Sequence, residues 1–371
     1  ASDVYKRQIY FLLQHLKIGG VEICITNIAN VLVQRGYKVF LVLTLQDIEL
    51  SNIDSRIRII HLTKLHHGDK SIFYKLYRRG VSYVAIRRFI HKLNNTIIVS
   101  TRNEYNIMLS KYSNNTNIRI AQLHHDYVGH KGIENDFKLR YLNIDNFLIL
   151  TDDVKEEIRK MITPYNKHTK LITVPNFISS INMECNSIKP RDNIAIAVGR
   201  LSSEKGFLRL LDIWKVALSL SDCNIKLFIV GEGPERNNLE KRIIELGIGS
   251  SVTLLGQKSS QEVLHLMYRS KVYCMSSFTE AFPTVLLEAM SCRLPQIAFD
   301  VRVGPRNIIL NDNTGYLVRD NDITTYANHI IRLMNDNIEW QRFSFNSYKR
   351  AKDFSVDNVI NRWESIFKGE I

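Results

Sequence analysis

The sequence lacks the features of several common protein classes. It has no apolar run of the about 18 residues that indicate a membrane-spanning helix, and its N-terminus shows no signal-peptide pattern. Its five cysteines are odd in number and form no Cys-x-x-Cys pair, so neither a disulfide framework nor a zinc module is expected. These absences predict a cytoplasmic protein with reduced thiols that does not cross a membrane.

Acidic residues are scarce in the first half of the chain. Residues 1–175 contain 26 Lys and Arg but 15 Asp and Glu, whereas the remainder is nearly balanced, with 24 and 22. Much of the basic excess lies between Lys70 and Lys92, interleaved with apolar residues. The basic side chains in the interior of that stretch are Lys75, Arg78, Arg79, Arg87 and Arg88.

Two explanations of this basic stretch stay open. An amphipathic basic helix can rest on an anionic membrane surface, which would make the protein peripheral on the inner face of the plasma membrane. An ordinary helix with a solvated basic face is the other explanation, and a break at Gly80 would divide it into two elements. The stretch contains no known nucleic-acid-binding module, so a nucleic acid is not an expected partner.

Short apolar segments alternate with helical patterns along the whole chain. This rhythm predicts an α/β protein of two doubly wound, Rossmann-like domains with mostly parallel sheets. The polar stretch that follows Pro175 and Asn176 places the boundary between domains 1–178 and 179–354. The predicted strands are 9–13, 39–43, 97–100, 118–123, 147–150 and 171–174 in the first domain, and 194–198, 225–230, 252–255, 272–275 and 296–299 in the second.

Two predicted strands in the second domain run into glycine-containing loops. The first loop carries Gly199 with two cations, Arg200 and Lys205, which suit a diphosphate. The second is Gly231-Glu232-Gly233-Pro234, whose spacing is not the Gly-x-Gly-x-x-Gly of a dinucleotide fold. A nicotinamide-dependent dehydrogenase is therefore disfavoured.

A third loop of this domain places two carboxylates eight positions apart. Glu280 would lie at the carboxyl end of a buried strand, and Glu288 would lie in a helix that begins at Pro283. A helix start attracts phosphate, and a carboxylate on either side can accept hydrogen bonds from sugar hydroxyls. Alternatively, Glu288 is a solvated helix residue and Glu280 an acid favoured by the helix dipole.

Together these loops resemble those of family 4 glycosyltransferases, which have the GT-B architecture of two such domains facing a central cleft. The resemblance implies that Arg200 and Lys205 hold the donor diphosphate, that Glu288 holds the ribose, and that Glu280 contacts the donor sugar. It also implies that the last helix, residues 355–371, packs back onto the first domain. The donor-binding residues implied are Gly19, Gly20, Gly199, Arg200, Lys205, Gly231, Gly233, Pro234, Gly256, Glu280, Ala281, Phe282, Pro283, Thr284, Val285 and Glu288.

Two positions in the first domain complete the predicted site. Gly19 and Gly20 open the first helix and let the backbone approach a ligand closely, although a simple flexible turn would have the same sequence. His124 ends a strand in the segment Leu123-His124-His125-Asp126-Tyr127, and the resemblance places it near the donor sugar. The predicted catalytic residues are His124, Arg200, Lys205 and Glu280.

A metal cofactor is not expected. Asp320-Asn321-Asp322 matches the Asp-x-Asp that holds manganese in many glycosyltransferases, but it directly precedes a helical pattern, and we interpret both aspartates as caps. Two cations and a helix start already balance a diphosphate.

The resemblance therefore implies a retaining enzyme that moves a hexose or N-acetylhexosamine from a nucleotide diphosphate sugar, a UDP-sugar above all, to a cell-surface glycan or lipid-linked acceptor. The donor would bind in the second domain and the acceptor in the first. Two alternatives stay open: a GT-B enzyme of another class, such as an epimerase or phosphorylase, and a non-catalytic subunit of a glycosyltransferase complex.

Overall fold

The computed structural model describes residues 8–17, 19–68, 71–124, 132–178 and 191–371. The chain forms two compact units, one of residues 1–176 with 356–371 and the other of residues 177–355. The division lies two residues before the boundary predicted from the sequence, and the C-terminal helix belongs to the first unit. None of the described helices is long and apolar enough to span a bilayer.

The first unit is a parallel sheet of seven strands with helices between them. Its strands are β1 (Gln8–Leu13), β2 (Lys38–Leu43), β3 (Arg58–His61), β4 (Ile97–Ser100), β5 (Ile118–Gln122), β6 (Asn146–Ile149) and β7 (Lys170–Thr173). Its first helices are α1 (Gly20–Gln34), α2 (Ile72–Lys92), α3 (Asn103–Tyr112), α4 (Ile133–Leu139) and α5 (Asp152–Ile162).

The second unit repeats this arrangement with six parallel strands. They are β8 (Ile194–Val198), β9 (Lys226–Val230), β10 (Val252–Gly256), β11 (Val272–Met275), β12 (Gln296–Phe299) and β13 (Gly315–Val318). The helices that follow are α6 (Phe207–Leu220), α7 (Arg236–Leu246), α8 (Ser260–Arg269), α9 (Thr284–Ser291), α10 (Pro305–Ile308), α11 (Ile323–Asn335), α12 (Asn337–Ala351) and, in the first unit, α13 (Val356–Lys368).

The strand order reverses once in each sheet. The order is β3-β2-β1-β4-β5-β6-β7 in the first unit and β10-β9-β8-β11-β12-β13 in the second. In the second unit, β9 and β10 are therefore added on one side of β8, and the chain then crosses to place β11 on the other side. In open α/β sheets, the crevice beyond the carboxyl ends of two such strands is where ligands bind. The predicted doubly wound α/β class is confirmed.

Strands β3 and β13 were not predicted, because their sequences have few of the features that indicate a strand. β3 is a sheet-edge strand with only two apolar residues between Arg58 and His61, and it is not fully buried. β13 begins at a glycine, a residue that usually marks a turn. The strands that were predicted are almost continuously buried, as β11 and β12 show, and parallel sheets covered on both faces produce such apolar runs.

Helix α13 packs on the first unit through apolar anchors. Trp363 and Phe367 are fully buried, and the Trp363 ring lies 6.2 Å from the Phe11 ring of β1. At the surface, Arg35 pairs with Glu364 at 2.8 Å and Asp357 at 2.7 Å. A helix distant in sequence thereby covers the sheet face beside α1.

Helix α2 corrects one expectation about the basic stretch. It is one continuous helix of 21 residues, so the predicted break at Gly80 is wrong. Glycine in a helix interior costs only about 1 kcal/mol relative to alanine, which neighbouring helix-forming residues offset. Its C-terminal half is fixed by the buried side chains of Ile86 and Ile90.

Candidate functional site

Two loops meet beyond the carboxyl ends of β8 and β11, where the strand order of the second unit reverses. The Lys205 Nζ atom lies 2.7 Å from Oε1 of Glu280, and the Ser277 hydroxyl donates to the same oxygen at 2.7 Å. The Glu280 side chain is only 9% exposed, whereas that of Lys205 is 29% exposed. The structure thus brings together a cation and a carboxylate that are 75 positions apart in the chain.

The backbones of these loops are also joined. The Phe278 amide donates to the Glu204 carbonyl at 2.8 Å, and the Ser276 hydroxyl donates to the Lys205 carbonyl at 3.1 Å. Gly206, with a φ of 63°, ends the turn, and a Cβ there would collide with the Ser276 carbonyl oxygen. Only glycine allows the loops to approach this closely, which fixes the Lys205 side chain beside Glu280.

The predicted glycine turns lie beside the β8 loop. The Gly199 amide donates to the Val230 carbonyl at 3.0 Å, and the Gly231 amide donates to Gly256 at 2.9 Å. Gly231 has a φ of 139°, and a Cβ there would collide with the Gly199 carbonyl oxygen. Position 231 requires glycine because the two loops pack so closely there, and this reason could not be seen in the sequence. Gly233 and Pro234 continue the same turn into α7.

Arg200 differs from Lys205 in its surroundings. It is exposed, and within the described residues its side chain has no ion pair. The loop nevertheless holds its backbone, since the Ser202 amide donates to the Arg200 carbonyl at 2.9 Å. An exposed cation without an ion pair can reach an anionic ligand without first breaking a protein contact.

Helix α9 begins within this site. Pro283 precedes its first residue, Thr284, as the capping position rather than as the first helical residue. Helix geometry leaves the N–H groups of the first turn without intrahelical acceptors, and the dipole adds positive potential there. Ala281 and Phe282 lead into the cap. The predicted phosphate-attracting helix start is therefore present next to Glu280.

Glu288 lies one turn further along α9 and is half-buried. Burial raises the pKa of its carboxyl to about 7. Within the described part of the chain, no hydrogen bond or ion pair reaches its side-chain oxygens. Glu288 is half-buried, so it is not a fully solvated helix residue. A half-buried carboxyl without a protein partner can accept a hydrogen bond from a ligand hydroxyl.

Arg209 is a residue of this site that the sequence analysis missed. From α6 its guanidinium donates to the Ser276 carbonyl at 2.6 Å and to the Ser277 carbonyl, and it pairs with Asp320 at 2.7 Å. The group lies 3.9 Å from the centre of the Phe278 ring, and its side chain is only 8% exposed. Arg209 thus holds the loop that carries Glu280. The sequence feature that could have identified Arg209 is an arginine within an otherwise apolar helical pattern.

The interpretation of the Asp-x-Asp segment needs one correction. Asp322 caps α11 as predicted, accepting from the Thr325 amide at 3.0 Å. Asp320 does not cap the helix but pairs with Arg209, because the loop before α11 passes the first turn of α6. Across the described residues no group of three or more His, Cys, Asp or Glu side chains is placed to hold a metal ion.

The remaining predicted residues lie in the first unit, at the carboxyl edge of its sheet. Gly19 precedes α1 with an extended backbone, and Gly20 begins that helix after β1. His124 follows β5 and is partly buried. His125, Asp126 and Tyr127, which completed the predicted motif, lie outside the described residues.

Comparison with known proteins agrees with this geometry. Residues 180–350 match the family described as glycosyl transferases group 1. An uncharacterized glycosyltransferase of Haemophilus influenzae is 26% identical over 96% of this chain and 98% of its own length. The α-1,4-N-acetyl-D-galactosaminyltransferase of Campylobacter jejuni, named for a diNAcBac-PP-undecaprenol-linked acceptor, is 23% identical over 96% of this chain and 97% of its own.

A solved structure shows the same fold. The pneumococcal O-GlcNAc transferase GtfA, in complex with UDP and GlcNAc, superimposes with a TM-score of 0.78 at 15% identity. The match covers 98% of this chain and 99% of that one. The fold and its loops therefore define a glycosyltransferase of the GT-B class. Within that class, residues 180–350 match the group 1 glycosyltransferases, the family that the motifs predicted.

We expect Arg209→Gln to destabilise the second unit by about 2–4 kcal/mol, because two buried carbonyls lose their donor and Asp320 loses its partner. The free energy of unfolding, measured by urea titration, tests this. Arg242→Gln is the matched control: Arg242 pairs with Asp212 at 2.7 Å at the surface, where solvent screening leaves a salt bridge little effect on stability. Equal losses in both variants would contradict the positioning role.

The raised pKa of Glu288 predicts a pH-dependent stability. A glutamate in the unfolded chain has a pKa of about 4.3. Between that value and about 7 the folded protein retains a proton that the unfolded chain releases, so stability falls as pH rises through this window. Glu288→Gln cannot ionise and should be more stable than the wild type at pH 8, by up to about 3 kcal/mol, with little difference at pH 4.

Thermal unfolding of both proteins across this pH range measures the effect. Glu240→Gln, at an exposed position of α7, is the control and should follow the wild-type curve. Parallel curves for Glu288→Gln and the wild type would show that the carboxyl ionises as an ordinary surface glutamate.

Proposed function

We propose that the protein transfers a hexose or N-acetylhexosamine from a UDP-sugar to a cell-surface glycan or lipid-linked acceptor, with retention of anomeric configuration. Two comparisons support the substrates. The pneumococcal enzyme of the same fold was solved with UDP and GlcNAc, and the Campylobacter relative is named for a polyprenyl-diphosphate-linked glycan. The match to this family supports retention.

The observation that carries the proposal is the Lys205–Glu280 pair beside the start of α9, with Glu288 one turn along the same helix. A diphosphate at this position would lie between the Lys205 ammonium, the exposed Arg200 side chain and the first-turn amides of α9. Glu288 would then accept hydrogen bonds from the ribose. Glu280 has one oxygen already held by Lys205 and Ser277, which leaves the other for a sugar hydroxyl.

We propose that this arrangement acts mainly on the leaving group. As the bond between the sugar and the diphosphate breaks, negative charge grows on the phosphate oxygens, and a fixed cation stabilises that charge more in the transition state than in the ground state. The acceptor hydroxyl would attack from the face that the diphosphate leaves, with a donor phosphate oxygen accepting its proton. Retention by this route needs no carboxylate nucleophile, unlike double displacement.

Loss of the fixed cation is expected to slow transfer. Lys205→Met and Arg200→Ala should each lower turnover about 100-fold, corresponding to roughly 3 kcal/mol of lost transition-state stabilisation, and Lys205→Met should also weaken UDP binding. The measurements are UDP release from UDP-GlcNAc with a membrane lipid extract, and a thermal-shift panel of UDP, GDP, ADP and NAD.

Lys215→Met is the matched control, because Lys215 is an exposed lysine of the neighbouring helix α6. Turnover near the wild-type rate in both Lys205→Met and Arg200→Ala would contradict the proposed diphosphate contacts. A thermal shift with NAD and none with UDP would contradict the proposed donor.

We also expect transfer to proceed without a divalent metal, because Lys205, Arg200 and the α9 start supply positive charge where the diphosphate leaves. Turnover should therefore be unchanged in EDTA. Loss of activity in EDTA with recovery on addition of manganese would contradict this expectation.

A further inference from the structure

Helix α2 of the first unit has an unusual charge. Between Ile72 and Lys92 it carries six Lys and Arg residues and no Asp or Glu. Only Ile86 and Ile90 of its side chains are fully buried. Every charge on the solvent side of this helix is therefore positive, a composition that is typical of a helix with an anionic partner.

The same helix exposes large apolar side chains at its N-terminal end. Phe73 is 85% exposed, Ile72 is 73% exposed, and Leu76 and Tyr77 are each 60% exposed. Exposed apolar residues that occur singly are normal, but a contiguous group of them marks an interaction site. Four large exposed apolar side chains within six successive positions form such a group.

The helix geometry gathers these residues on one side. At 100° per residue, Phe73, Leu76, Tyr77, Val84, Arg87 and Arg88 project within an arc of about 120°. Ile72 and Arg79 are also exposed and project about 40° and 60° outside this arc, within reach of long side chains. We call the six residues in this arc the α2 face. The face is apolar toward its N-terminal end and cationic toward its C-terminal end.

The α2 face is firmly attached to the first unit. Ile86 and Ile90 pack into the core of the sheet, and the Arg87 guanidinium lies 5.0 Å from the centre of the Tyr112 ring on α3. Near the N-terminal end, the Tyr74 hydroxyl donates to the His66 carbonyl at 3.0 Å. The exposed residues therefore belong to an anchored helix and form a preorganised surface.

The chemistry of the face selects among possible occupants. A second copy of the chain would bring another α2 helix, with six cations and no acidic residue, against this one, which is unfavourable. A nucleic acid would match the cations but would give the aliphatic Leu76 and Val84 no polar or stacking contact. A bilayer with anionic headgroups accommodates both kinds of residue, because apolar side chains insert at the headgroup boundary while cations contact the headgroups.

We propose that the α2 face docks the first unit on an anionic lipid bilayer, with Phe73, Leu76 and Tyr77 inserted among the headgroups and Arg79, Arg87 and Arg88 on anionic lipids. This inference deepens the proposed function, in which a lipid-linked acceptor would be presented at such a surface. Docking itself requires neither donor nor acceptor, so it can be measured separately.

The charged part of the face is tested by vesicle sedimentation of the full chain. The probe is a vesicle of phosphatidylcholine with about one third phosphatidylglycerol, and each basic residue near such a surface contributes about fivefold to the partition constant. Arg79→Gln with Arg87→Gln and Arg88→Gln should therefore lower binding roughly 100-fold at low salt, and wild-type binding should weaken as salt is raised.

The matched control removes the same charge elsewhere in the first unit. Lys38→Gln with Lys160→Gln and Lys167→Gln alters three exposed lysines outside α2 and should bind nearly as the wild type does. Equal losses in both triple variants would overturn the assignment to α2, because net charge alone would then explain the binding. Wild-type binding that is absent at low salt, or equal on pure phosphatidylcholine, would overturn the proposal itself.

The apolar part of the face is tested in the same way. Phe73→Ser with Leu76→Ser should lower vesicle binding roughly tenfold or more, since two inserted side chains lose their apolar contact. Leu139→Ser with Leu142→Ser is the control, because these leucines are 71% and 46% exposed in the same unit but outside α2. Unchanged vesicle binding by the variant with Phe73→Ser and Leu76→Ser would contradict the proposed insertion of these side chains among the headgroups.

Two further measurements separate the other occupants and the proposed function. Sedimentation velocity that shows wild-type self-association, abolished by Phe73→Ser with Leu76→Ser, together with no vesicle binding, would identify a copy-to-copy interface and overturn the proposal. Retained vesicle binding without any thermal shift from UDP would leave the α2 inference standing while the proposed donor fails. All α2 variants should keep the wild-type response to UDP.

Discussion

The close contact between the β8 and β11 loops is the constraint on which the candidate site depends. Parallel strand order makes these two strand ends neighbours, and Gly206 lets their backbones approach closely enough to share hydrogen bonds. Arg209 of α6 then fixes the β11 loop by donating hydrogen bonds to the Ser276 and Ser277 carbonyls. The result is a cation and a carboxylate held in place before any ligand arrives, so little reorganisation is needed on binding.

The two acidic residues of the site have different environments and therefore different chemistry. Glu280 is satisfied by Lys205 and Ser277, so its charge is already compensated within the protein. Glu288 has no such compensation, and burial raises its pKa to about 7. A carboxyl in that state gains most from a ligand that brings hydrogen-bond donors, whereas Glu280 can orient a sugar without changing its protonation. Environment distinguishes two residues of the same type.

The two units share an architecture but differ in their surfaces. Nearly all of the excess positive charge belongs to the first half of the chain, and α2 concentrates six cations together with exposed apolar side chains. The loops that carry the proposed diphosphate contacts lie in the nearly neutral second unit. With this separation, the proposed contact of α2 with an anionic surface would not disturb the diphosphate site of the second unit. Screening limits the electric field of the α2 charges to about 10 Å at ordinary salt.

The sequence by itself determined the fold class and the residue types of the candidate site. Buried parallel strands require continuous apolar runs, so strands such as β8, β11 and β12 were readable, whereas the short edge strand β3 and the glycine-led β13 were not. The glycines, cations and carboxylates of the strand-end loops could be identified because their order along the chain follows the order of the strands.

Only the tertiary structure decided which of those residues meet and what burial does to them. Lys205 and Glu280 are far apart in sequence, and their contact results from the strand order. Asp320 became a partner of Arg209 instead of a helix cap because α6 begins beside its loop. Likewise, the pKa of Glu288 and the exposure of α2 depend on the neighbours that packing supplies. Local sequence fixes residue type and periodicity, but distance and solvent access are properties of the folded chain.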